Sequence, residues 1–212
     1  MADKNNDKST METTEIENGF YISRYWNESL QNETYEKEVS KEFIQFHFCQ
    51  KGEGVFLFNE GNYSFPVQGK NVIVLYNPIQ ALPINLDLHP DSSMVSLVIS
   101  IKKFHGLFSE NSDEIHFLNP ENNSKKYYDT RSFSPAMSVV LSQILEPKIH
   151  DSMKSLYFKG KVYELLSLFF NKNEDTNIEQ CPFLVDEENV RKIRKAKEII
   201  LAQMSEPPTL QE

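Results

Sequence analysis

The stretch from Phe43 to Pro78 constrains the fold of this chain more than any other. Phe43-Ile-Gln-Phe-His-Phe-Cys49 alternates with a period of two, which sets Ile44, Phe46 and Phe48 on one face of an extended strand and Gln45, His47 and Cys49 on the other. Lys51-Gly-Glu-Gly54 then reads as a turn and Val55-Phe-Leu-Phe58 as the returning strand. A turn at Asn59-Glu-Gly-Asn62, a strand from Tyr63 to Val67 and a turn at Gln68-Gly-Lys70 follow. The apolar strand Asn71-Val-Ile-Val-Leu-Tyr76 ends at Asn77-Pro78, because proline cannot donate to a ladder. Ala81 to Leu88 and Met94 to Ile101 supply two further strands, split by a turn at His89-Pro-Asp-Ser92. Short strands at this spacing, beginning at Phe20, predict a sandwich or small barrel.

The pattern then changes period. Ser134-Pro135 is an N-cap followed by proline at the first helical position, and Met137, Val140, Leu141, Ile144 and Leu145 recur at helical spacing up to Pro147. Ser152 to Phe170 predicts a longer helix with Leu156, Phe158, Val162, Leu165, Leu166 and Phe169 among its apolar positions. That is more apolar surface than one face against a barrel consumes, so Leu156, Val162, Leu166 and Phe169 are candidates for a dimer interface. Residues 171–181 read as a polar linker. Asp186 caps a third predicted helix, with Val190, Ile193, Ala196, Ile200 and Met204 on one side and Arg191, Lys192, Arg194, Lys195 and Lys197 elsewhere. Pro207-Pro208 breaks it, and Thr209-Leu-Gln-Glu212 fits a capping box opening another helix.

Composition removes several function classes. Lys plus Arg number 22 and Asp plus Glu 31, a net charge of −9, which argues against a surface devoted to a nucleic-acid backbone. No apolar run approaches the ~18 residues a membrane span needs, and the polar start Met1-Ala-Asp-Lys lacks a signal-peptide pattern, so the expected location is cytoplasmic. Cys49 and Cys181 match no zinc or redox spacing and read as buried small apolar residues.

The string from Asp186 through Pro207-Pro-Thr-Leu-Gln-Glu212 resembles the entry to the DNA-binding domain of AraC-family transcriptional regulators. There a helix with an Ala-Lys/Arg-x-Ile/Leu core precedes a Pro-Pro-Ser/Thr-Leu-x-Glu-Leu-Ala segment that opens the first helix-turn-helix. Phe43 to Pro78 looks like the family's cupin-type regulatory barrel, and Leu156-Tyr-Phe-Lys-Gly-Lys-Val-Tyr-Glu-Leu-Leu166 resembles the helix after the barrel in its ferri-siderophore-responsive branch. The resemblance implies an α+β fold, a cupin-like β-barrel or sandwich followed by two or three helices. With a flexible arm (1–18) read from its polar, aperiodic composition alone, the chain divides into that arm, a regulatory barrel (19–133), a helical dimerisation pair (134–171), a linker (172–185) and the truncated start of a helix-turn-helix domain (186–212). The resemblance further implies a homodimer that contacts DNA through a C-terminal domain, two recognition helices lying in the major groove.

Metal-binding cupins present a His-x-His pair, a Glu a few residues on and a later His. Here His47 stands between Gln45 and Cys49, with no histidine after Pro78 until His89 in a turn, so no metal, cofactor or catalytic residue is assigned. His89, His105, His116 and His150 read as surface residues. Sugar-sensing members of the family carry His and Tyr just after the strand-Pro turn, whereas this chain has Ala81-Leu82-Pro83, which would leave hydroxyls unpaired. The expected effector is therefore apolar, aromatic or a flat metal chelate, with Trp26, Phe46, Phe48, Phe56, Phe58 and Tyr76 as candidate lining residues. Two alternatives stand beside the regulator. A metal-dependent cupin enzyme or small-molecule-binding cupin would carry stoichiometric metal or ligand; a cyclic-nucleotide-receptor-like sensor would need a glycine-rich phosphate cassette with an arginine, which the sequence lacks.

Overall fold

The computed structural model of the chain describes residues 9–108 and 126–171. Its strands are β1 (Ser9–Glu17), β2 (Phe20–Asn27), β3 (Glu33–Lys37), β4 (Phe43–Lys51), β5 (Glu53–Phe58), β6 (Tyr63–Gln68), β7 (Asn71–Tyr76), β8 (Ile84–Leu88), β9 (Ser92–Ser100) and β10 (Tyr127–Ser132). Its helices are α1 (Ile101–Leu107), α2 (Pro135–Leu145) and α3 (Lys154–Phe170), the last preceded by a single 3-10 turn at Asp151–Met153.

The strands form a six-stranded sheet in the order β1-β2-β9-β4-β7-β10 and a four-stranded sheet in the order β3-β8-β5-β6. The two sheets share no strand, so the sandwich form of the expectation is the one realised. The larger sheet is the middle of three layers. Its inner face meets the small sheet through Tyr25, Cys49, Ile73, Leu75, Met94 and Val98 against Phe56, Val67, Ile84, Leu86 and Leu88. Its outer face carries Phe20, Ile22, Ile44, Phe46, Phe48, Val72, Val74, Val95, Leu97 and Ile99 and is covered by the three helices.

Burial on both faces explains why β7 reads as apolar throughout. Val72 and Val74 point to the helices while Ile73 and Leu75 point to the small sheet. The turn before β5 depends on Gly52, whose φ is +74° and whose added Cβ would lie 2.0 Å from the Ser92 hydroxyl. Pro66 lies in β6, which is at the edge of the small sheet, where a missing donor costs least.

Helix α2 starts as the sequence predicts: the Ser134 hydroxyl accepts from the Met137 amide at 3.3 Å with Pro135 at the first position. Met137, Val140, Leu141, Ile144 and Leu145 are all buried beneath it. The predicted strand to Ile101 stops one residue earlier, where the Ser100 hydroxyl caps α1 by accepting from Lys103 N. Helix α1 and strand β10 had no counterpart in the sequence reading.

The expected mobile arm is corrected over residues 9–17, which form edge strand β1, antiparallel to β2 from Ser9 opposite Asn27 to Glu15 opposite Tyr21, with a bulge before Glu17 pairs with Phe20. Ladder hydrogen bonds and the burial of Ile16 hold this polar segment, neither of which a low apolar content reveals. The remainder of that arm (1–8), His116, Cys181, the linker 172–185, the helix expected from Asp186 and the capping box at Thr209 lie outside the described residues.

Candidate functional site

Register places a row of polar side chains across the inner face of the large sheet. Thr13 on β1 stands opposite Ser23 on β2, Ser23 opposite Ser96 on β9, and Ser96 opposite His47 on β4. The Thr13 and Ser23 hydroxyls are 2.9 Å apart. The His47 Nδ1 is 2.7 Å from Ser96 Oγ, and its Nε2 is 3.1 Å from Gln45 Oε1. Gln45 in turn donates from Nε2 to the Leu82 carbonyl at 2.7 Å. Because the Gln45 oxygen can only accept, His47 carries its proton on Nε2 and accepts the Ser96 hydroxyl proton at Nδ1.

Ser23, Gln45, His47 and Ser96 are all fully sequestered, and the His47 ring packs on Phe56 of the small sheet with centroids 4.2 Å apart. Burial pushes the His47 pKa down to about 3, so the imidazole is neutral at physiological pH. Tyr25, two residues beyond Ser23 on the same face, is also buried, and its hydroxyl has no hydrogen-bond partner. Burial raises its pKa, an effect that the neighbouring Ser23 and Ser96 hydroxyls moderate. The layer thus holds uncharged hydrogen-bonding groups in apolar surroundings, one of them unpaired. Such surroundings suit neutral polar groups and disfavour an ion.

The six candidate lining residues do not converge. Phe46, Phe48 and Tyr76 lie in the core on the helix side of the large sheet, and Trp26 packs against that same core. Phe56 faces the inter-sheet layer, and Phe58 packs at its margin against Phe65, 5.7 Å between centroids. The alternation of β4 puts Phe46 and Phe48 on the helix side of the large sheet and Gln45, His47 and Cys49 on the side of the small sheet. The polar face was the one that meets the row. Its signal was present in Ser23-x-Tyr25, Gln45-x-His47 and Ser96, polar residues spaced by two in strands otherwise apolar. Among the described residues, no three His, Cys, Asp or Glu side chains are placed to hold a metal ion together.

The dimer candidates divide similarly. Val162, Leu166 and Phe169 are buried against the sheet, whereas Leu156 is 65% exposed. The large sheet's outer face consumes the apolar stripe of α3, so the surplus expected from the sequence reduces to Leu156 with Met153 and with Val139 of α2. Beside them a depression of about 400 Å³ is lined by Ser142, Gln143, Glu146, Lys148 and Tyr157.

Charged groups bind the helices to the sheet at two further points. Arg24, buried on β2, donates to the Ile144 carbonyl at the end of α2, pairs with Glu12 of β1, and lies 4.6 Å from the Phe158 ring centroid of α3. Glu17 at the end of β1 pairs with Lys103 of α1 and Lys159 of α3 and accepts from the Tyr163 hydroxyl at 3.1 Å. Those partners, Lys103 first, hold its carboxyl at about 2.

None of the curated proteins compared with the chain matches it. Among solved structures, an apo variant of ToxT from Vibrio cholerae shares 17% identity over 74% of this chain and 60% of its own, with a TM-score of 0.41. ToxT from Vibrio cholerae bound to (E)-4-(8-methylnaphthalen-1-yl)but-3-enoic acid shares 16% over 91% and 67%, with a TM-score of 0.38. An RmlC-like cupin protein from Desulfovibrio desulfuricans shares 18% over 47% and 89%, with a TM-score of 0.35. The chain therefore spans about three fifths of the length of the first of these. Residues 8–180 match the family described as the regulatory protein PchR N-terminal domain. With most of its length inside that match, the chain belongs to the PchR N-terminal-domain family, the regulatory domain of AraC-type transcription regulators.

Proposed function

We propose that the chain senses a small effector between its two sheets and reports it to a DNA-binding segment as part of a homodimer. The observation that supports this most is the buried polar row, Ser23, Tyr25, Gln45, His47 and Ser96, facing Phe56 and holding an unpartnered hydroxyl. Proteins rarely bury such groups without satisfying them, and a regulatory domain has a use for a layer that gains hydrogen bonds when a ligand enters. The effector class is a neutral, largely aromatic molecule or flat chelate, read by Phe56 through stacking and by His47, Gln45 and Tyr25 through hydrogen bonds. Of the six aromatic candidates Phe56 is the one we retain in this role, with Phe58 at the margin; the others seat the helices. We assign catalysis to none of these residues.

DNA recognition belongs, on this reading, to the helix-turn-helix sequence whose opening residues 186–212 resemble. Dimerisation is assigned to the outward face of α2 and α3, with Val139, Met153 and Leu156 at its centre. Effector occupancy would then favour one arrangement of the two DNA-binding segments over another.

Titration with 2-naphthol and related flat aromatics carrying one hydroxyl or carbonyl, followed by thermal shift and calorimetry, tests the sensing site. Binding that weakens about tenfold in Tyr25→Phe or Gln45→Leu supports it, the loss of one neutral hydrogen bond with its partner left unpaired being worth roughly that factor. Affinity indifferent to both substitutions would place the effector elsewhere.

A further inference from the structure

We propose that β4 is a relay carrying the state of the inter-sheet row to the C-terminal end of α3, at Phe169 and Phe170. The inference rests on the sensing reading for what perturbs the row; the path itself is drawn from contacts alone. His47 sits between Phe46 and Phe48, so a single strand presents the row on one face and two phenylalanines on the other. On the inner side Phe56 lies against His47, 4.2 Å between centroids. On the outer side Phe46 meets Phe169 edge-on at 5.4 Å and Phe170 at 6.0 Å, and Phe48 meets Phe169 at 6.1 Å.

These two α3 residues are the last of the helix, with Asn171 as its C-cap. They sit in a socket completed by Phe104 of α1 and by its C-cap Phe108, at 5.6 and 4.8 Å from Phe170, and by the Arg131 guanidinium 3.7 Å from the Phe169 ring centroid. β4 is hydrogen-bonded on both sides, to β9 and β7, so it cannot fray away from the sheet. A molecule that parts Phe56 from His47 therefore tilts the β4 pleat as a unit, and Phe46 and Phe48 move with it because consecutive side chains share one backbone. Close-packed ring contacts do not deform continuously, so a small tilt is expressed as a change in how firmly the end of α3 is seated.

Hydrogen exchange on residues 1–212, with no effector added, tests the path. In Phe56→Leu, amides of residues 165–171 are expected to exchange about tenfold faster, clearly more than those of α2, which β4 also holds through Gln50 on Ser138 and Ser142. Ile84→Val, which trims the same inter-sheet cluster on β8, leaves both helices unchanged. A double-mutant cycle of Phe56→Leu with Phe169→Leu, read at the same amides, should show less than multiplicative effects. If Phe56→Leu does not fold, His47→Gln reports on the same strand. Exchange that rises equally in α2 and α3, that stays unchanged at 165–171, or that multiplies independently in the cycle overturns the relay. Because the readout needs no ligand, such a result leaves the sensing site to the titration above, and a titration that finds no binding leaves the exchange result standing.

Discussion

The imidazole of His47 lies against the ring of Phe56, 4.2 Å between centroids, although the two residues belong to different sheets. The contact fixes the depth at which the sheets meet, and it buries a titratable group without any charged partner.

A pH dependence follows from that burial. The folded-state pKa of His47 is pushed down to about 3, whereas in the unfolded chain the ring titrates at 6.5. The unfolded state therefore binds the proton first, and stability is full above pH 6.5 and falls as pH drops toward 3. The expected slope approaches about 1.4 kcal/mol per pH unit in the middle of that window. Urea denaturation between pH 4 and 7 should show it, and His47→Gln should flatten it.

Glu17 acts in the opposite half of the acid range. Its carboxyl is held at about 2 by Lys103, Lys159 and Tyr163, so the stabilisation it provides is complete above the ordinary value of 4.5 and is lost as pH falls through 2. The group is partly open to solvent, which limits its worth. Glu17→Gln is expected to cost about 1 kcal/mol at neutral pH, less at high salt, with faster amide exchange in β1 as the local signature.

Arg24 is the costlier charge to disturb. It is buried between Phe158 and Trp26, 4.6 and 5.3 Å from their ring centroids, and donates to the last turn of α2. Arg24→Ala should destabilise the fold by about 2–4 kcal/mol, since packing, the helix-end contact and the ring contacts are lost together. The chain has one tryptophan, so emission of Trp26 reports directly on whether α2 and α3 keep their seat.

Two positions on α3 separate association from folding. Leu156→Glu is expected to leave the folding stability within about 0.5 kcal/mol of wild type while shifting sedimentation toward the monomer. Phe169→Ala is expected to cost about 3–5 kcal/mol at every protein concentration, because its ring fills the core under the sheet. A dimer indifferent to Leu156→Glu would remove the α2–α3 face from the interface.

Much was written locally in the chain. The period-two run from Phe43, the turn at Gly52, the stop at Asn77-Pro78 and the Ser134-Pro135 cap each follow from short-range sterics and hydrogen bonding, which act whatever the rest of the molecule does. The resemblance of residues 186–212 also needed only neighbouring residues. Other features were settled at long range. Whether Phe46 or His47 faces the second sheet depends on which side of β4 receives the helices, and the pleat alone cannot tell the two faces of a strand buried on both sides apart. β1 became a strand because β2 offered it a ladder, and Val162, Leu166 and Phe169 became core because the sheet offered them a surface. Backbone geometry within a few residues was set by the sequence itself. The partner of each apolar or polar face, and with it the location of the candidate site, was decided by tertiary packing, since burial is a property of two surfaces and a sequence describes one at a time.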